Sequence, residues 1–190
     1  MTVAEISHAI QSVGFLTYVR ESGYTYPMIL SIHLTAIAVF GGLILMTDAR
    51  ILGWALTDVP VAHVVRSLRR WKVTGFLIMV LMGLLLGLSE MDKYYANPYF
   101  LIKMVLLWIV FPIHALIFRG PVYSKPEALD AAPTMPGIAK AAAISSLCLW
   151  IAIACCGRWI AYYEPKDKNG KPVAALTVPA PAPVAVVAHR

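Results

Sequence analysis

The chain has 190 residues, 59% of them hydrophobic and 14% charged, with mean hydropathy +0.72. A soluble domain carries roughly a quarter charged residues, so lipid is the implied solvent for much of this chain, and its length fits one compact domain. The net charge of +6 falls mostly between apolar segments, where Lys and Arg set membrane orientation; without a Gly-rich phosphate loop or a basic–aromatic array, no nucleic-acid partner is expected.

The first residues lack the basic start and unbroken apolar run of a signal peptide. Val3, Ile6, Ile10, Val13 and Leu16 recur at three-to-four spacing and predict one amphipathic helix over about residues 3–20. Its expected place is the membrane interface or across the end of a bundle. Glu21-Ser22-Gly23 breaks it.

A first span is expected over about residues 26–46, enough at 1.5 Å per residue to cross a ~30 Å hydrocarbon core. Pro27 is tolerated in the first turn, and Tyr24 and Tyr26 suit an aromatic belt. The connection from Thr47 to Lys72 is long and basic. Asp58 reads as the cap of a helix starting near Pro60. The segment VAHVVRSLRRWK then either lies at the interface or extends the second span beyond the membrane.

The second span is expected over about residues 73–89, with Trp71 as its anchor. Gly75, Met79, Gly83 and Gly87 fall four apart and predict a face that another helix approaches closely. Asn97-Pro98 opens a third span over about residues 100–118, in which Lys103 snorkels. Pro112 is expected to kink it and free a carbonyl near Trp108. Residues Arg119 to Gly137 read as loop. The fourth span covers about residues 138–160, from beside Lys140 to Arg158 and Trp159. Residues 164–190 read as a flexible Pro/Ala-rich tail. The expected fold is therefore an all-α integral membrane four-helix bundle over residues 1–163, with an N-terminal interfacial helix.

Four spans put both termini on one side. Arg50, Arg66, Arg69, Arg70, Lys72, Arg119, Lys125 and Lys140 flank the spans on the other side. The positive-inside rule then places the termini outside the cytoplasm of a bacterial cytoplasmic membrane. Cys148, Cys155 and Cys156 read as small apolar residues buried in the bundle rather than a zinc site. The methionines read as core filling, because no Met or His–Met cluster gathers at one depth.

The stretch VRESGYTYP, an apolar span with one histidine, and DARILG together resemble a bacterial family of small multi-span membrane proteins known only as a domain of unknown function. Its signature is R-x-S…YP…H…G…D-x-R-x-L-G, matched here by Arg20, Tyr26, Pro27, His33, Gly42, Asp48, Arg50, Leu52 and Gly53. Trp71-Lys-Val-Thr-Gly75 and Asn97-Pro-Tyr-Phe-x-x-Lys103 extend the resemblance to about Tyr18–Phe118. The resemblance implies membership and a membrane fold but no activity. It also implies an acidic residue about one turn before the histidine. Leu30 stands there instead, which weighs against His33 as a metal or haem ligand.

An intramembrane ionisable residue is a functional hypothesis by default. His33 lies ~10 Å and His114 ~21 Å into their spans, a mismatch of ~11 Å for two parallel helices. Both are candidate cofactor ligands, for b-type haem or another metal, but a shared iron requires staggered or kinked spans. Asp48 and Arg50 read as a structural lock at the end of the first span, with Asp48 pairing the basic Arg66–Arg70 segment. Arg20, Pro27 and Gly53 complete the structural motif; Gly75, Gly83 and Gly87 supply helix packing. No nucleophilic set converges at one depth and the glutamates lie outside the spans, so no enzyme is assigned. The expected function is a non-catalytic accessory or scaffold subunit. The alternative is a small redox subunit binding haem through intramembrane histidines. The lipid bilayer is the expected partner, joined by a second copy or a membrane subunit.

Overall fold

The computed structural model describes residues 2–164, and residues 119–121 by backbone alone. The tail reading for residues 165–190 lies outside this range. The described chain is helical without a strand. Four helices are long and apolar enough to cross a membrane: Thr25–Leu52, Val61–Ser89, Pro98–Phe118 and Gly137–Ile160. They are the first to fourth spans below.

The N-terminal segment is two helices rather than one. Thr2 caps Val3–Gln11 with a reciprocal box: its hydroxyl accepts from the Glu5 amide, and the Glu5 carboxylate accepts from the Thr2 amide. The chain then breaks at Ser12-Val13 and restarts as Gly14–Glu21. The three-to-four spacing of apolar residues survives such a break, so periodicity alone did not reveal it. The helices pack across the bundle end, where Val19 is buried with Ile29 and Leu86.

The first span runs six residues further than expected, to Leu52. Gly53 stops it with φ +77°, and its amide donates to the carbonyls of Ala49 and Arg50. That left-handed turn costs glycine no Cβ clash. The second helix is continuous from Val61, so the basic segment extends the span rather than lying flat. Asp58 does not cap it. Asp130 does so from far along the chain, its carboxylate accepting from the amides of Val61 (2.7 Å) and Ala62 (2.9 Å).

The third span responds to Pro112 by widening rather than by a simple break. Residues Leu106–Val110 form a π-helical turn, in which the Phe111 amide donates to Leu106. Proline lacks an amide and its ring crowds the carbonyl one turn back; an extra residue in the turn relieves that crowding. The region read as loop holds a second π turn, Arg119–Ser124, and a short helix, Pro126–Ala131. Leu129 of that helix joins Ile51, Val61, Val65, Val122 and three alanines of the fourth span in the largest buried cluster.

A second cluster lies mid-bundle. Phe40 of the first span contacts Phe76 of the second and Trp150 of the fourth, and Phe111 of the third contacts both Phe76 and Trp150. This aromatic layer draws on all four spans.

Candidate functional site

The polar groups within the spans fall at three levels, and the aromatic layer separates two of them. On the terminal side, His33 is half-buried. Its Nδ1–H donates to the Met79 carbonyl of the second span at 2.8 Å. Its ring lies over Gly83, where an added Cβ would come within 2.7 Å of Cε1. The glycine stripe is thus a seat for side chains of other spans. Gly75 faces Phe40, Gly83 faces His33, and Gly87 faces Phe100. Lys103 of the third span is the cation facing His33, and its Nζ ends 3.5 Å from where a Cβ on Gly157 would sit.

On the other side of the aromatic layer, His114 is also half-buried. Its Nε2–H points at the Ser145 hydroxyl (2.9 Å) and the Ala142 carbonyl (3.2 Å), both on the fourth span. Phe40 lies seven residues beyond His33, and Phe111 three before His114. The aromatic layer therefore falls at a depth between the two imidazoles, which contact different helices. The structure does not bring His33 and His114 together.

The third level is a polar knot at the loop-side end, which sequence reasoning located only in part. Asp48 is 3% exposed and Thr47 1%. Lys72 donates to the Thr47 hydroxyl at 2.5 Å, and Thr47 donates to the Leu43 carbonyl. Lys72 also lies 5.9 Å above the Tyr123 ring. Ser146 of the fourth span and Lys72 face the Asp48 carboxylate, whose Oδ2 has no hydrogen-bond partner among the described residues. The expected pairing of Asp48 with Arg66–Arg70 is corrected. Asp48 turns inward to Lys72, while Arg66 points outward to an ion pair with Glu127. The reason is helical phase: Lys72 and Gly75 share the inner face, and Arg66 and Arg70 lie on the outer one. Arg50 holds the loop by donating to the Val59 carbonyl.

The terminal end has its own lock. The Asp92 carboxylate accepts from Ser7 (2.8 Å), His8 (2.9 Å) and Gln11, and the Asp92 amide donates to Gln11 at 3.2 Å. Burial pushes the Asp92 carboxyl up, but these bonds and the nearby His8 charge outweigh it and hold the group below its ordinary range. Arg20 reaches the Ser89 carbonyl at the end of the second span. Buried Asn97 caps the third span and donates to Ile160 of the fourth. Pro27 sits in the first turn of its span, as its missing amide requires. The cysteines are corrected: Cys148 and Cys155 are exposed and Cys156 half-buried, all three free thiols. In lipid an outward face is as apolar as a core, so apolar surroundings gave no clue to direction.

Among the described residues, no three His, Cys, Asp or Glu gather as a metal-holding group. Asp130, Ser146 and Tyr123 left no trace in the local sequence pattern. Each acts on a residue distant in the chain, and only a known fold brings them there.

These features define a helical membrane protein whose spans are fastened by interhelical hydrogen bonds at several depths. The chain matches, over residues 8–163, the family described as a family of unknown function, DUF6644, and belongs to it. No curated protein and no solved structure matches the chain.

Proposed function

We propose that this protein is a non-catalytic accessory or scaffold subunit of a bacterial cytoplasmic membrane, with both termini outside the cytoplasm. The observation that carries this reading is where the histidine protons go. His33 binds the second span and His114 the fourth, each at its own depth, with an aromatic layer between them. Such groups tie helices together where lipid gives no hydrophobic drive for association. The third span supports a partner-binding role, since no residue in its apolar stretch is buried. Its outer face, with Trp108, Ile109 and Leu116, is where a partner subunit or a second copy would pack.

One observation favours the redox alternative. With its Nδ1–H on a backbone carbonyl, neutral His33 keeps the lone pair on Nε2, an orientation that ligating histidines use. The test is the absorption spectrum of the detergent-purified protein, oxidised and dithionite-reduced, with an iron assay on the same sample. A scaffold is colourless and free of stoichiometric iron, and His33→Ala lowers its stability by about 1–2 kcal/mol. A reduced α-band with near-stoichiometric iron, abolished by His33→Ala, overturns the scaffold reading.

A further inference from the structure

The outer face of the second helix carries chemistry that the bundle does not use. His63, Arg66, Ser67, Arg70, Trp71 and Thr74 are spaced at three and four along one stripe, and all are exposed. They line a groove of about 890 Å³, closed on one side by Glu127 of the short Pro126–Ala131 helix.

Its depth follows from helix length. Val61–Ser89 has 29 residues, so it is ~44 Å long against a ~30 Å hydrocarbon core. With the apolar stretch starting at Val73, Arg70 lies ~5 Å and Arg66 ~10 Å beyond the hydrocarbon boundary. Arg70 therefore lies in the headgroup layer and Arg66 just beyond its outer edge. Trp71, 66% exposed, sits at the boundary, where indoles prefer to lie.

The charge is complementary to one anion. Arg66 and Arg70 bring two positive charges and Glu127, paired to Arg66, brings one negative, leaving one guanidinium in excess. Thr74 adds a hydroxyl donor on the same stripe, while the Ser67 hydroxyl donates to the Val64 carbonyl. Directly below, the stripe turns apolar and stays open: Leu77 is 60% exposed, Ile78 40% and Leu81 56%. A free phosphate needs only the upper part of this surface. A lipid uses both parts.

We propose that this stripe is a binding site for an anionic phospholipid with a singly charged phosphodiester headgroup. The phosphate lies against Arg70 and Thr74, and an acyl chain runs along Leu77, Ile78 and Leu81. Glu127 limits the site by holding Arg66, so the lipid and the carboxylate compete for that guanidinium.

The experiment is native mass spectrometry of the full chain in detergent doped with dioleoylphosphatidylglycerol or dioleoylphosphatidylcholine, with and without millimolar inorganic phosphate. The expected result is about five-fold preferential retention of phosphatidylglycerol, from about one basic residue's worth of attraction. Arg70→Gln reduces that preference to near parity. Glu127→Gln, which frees Arg66, raises it and so reads in the opposite direction from any general loss of folding. Inorganic phosphate leaves retention unchanged. Equal retention of the two lipids overturns the proposal, as does an unchanged preference in both variants. Displacement by inorganic phosphate also overturns it, and assigns the groove to a soluble phosphate ligand.

Discussion

The second and third spans look alike as strings of apolar residues with a basic residue near one end. They sit in the fold differently. The second buries Val64, Val65, Gly75, Met79, Leu86 and Gly87, and three of its residues seat Phe40, His33 and Phe100. The third buries nothing between Pro98 and Val105, in its π turn, or between Phe111 and Phe118. Apolarity therefore does not select the core here. Small residues that let another helix approach, and polar groups that must find partners, do so instead. The second span has a glycine stripe. The third has one alanine among bulky residues and a proline beside its π turn.

The sharpest test contrasts one residue from each span. Met79→Ala, at a position 4% exposed in the aromatic cluster, is expected to cost about 2–5 kcal/mol through lost packing and a residual cavity. Ile117→Ala, on the outer face of the third span, is expected to stay within about 0.5 kcal/mol. Thermal unfolding in one detergent reads both, and equal losses would break the comparison. The next largest effect concerns the seat itself. In Gly83→Ala the new methyl forces the His33 ring aside and loses its bond to Met79, at a cost of about 1–3 kcal/mol. Pairing it with His33→Ala should leave less than the sum of the two losses, because both remove the same contact.

The smallest effect lies at the terminal end of the second span. Asp92 is held below its ordinary range, so its contribution is complete above the unfolded carboxylate value of about 3.9. It fades as pH falls through the lowered folded value. Below that pH the Val3–Gln11 helix should exchange its amides faster, while the Met79 region stays protected. Hydrogen exchange measured from pH 5 down to pH 2 checks this. Equal acceleration in both regions would show that the lock is not local.

Much of the scaffold was legible in the chain. The four spans were readable because twenty-residue apolar runs have few other uses. The stop at Gly53 was not read, although a left-handed residue after a helix favours glycine. The Gly75–Gly87 stripe announced a close approach without saying what approached. The site was less legible. Asp48 drew notice through its motif, yet its partners were misassigned, because Lys72 and the arginines are adjacent in sequence and differ only in the face they present.

The sequence by itself determined membrane class and the number of spans, since these follow from local hydropathy. The tertiary structure alone decided that Asp130 caps the second helix and that Asp92 clasps the first. It alone decided that His33 bonds to the second span and His114 to the fourth. Each of these depends on which helix faces which, and in a bilayer the outward and inward faces are equally apolar. The pattern that reveals a buried face in water is absent there, so helix rotation is set by distant packing and hydrogen bonds.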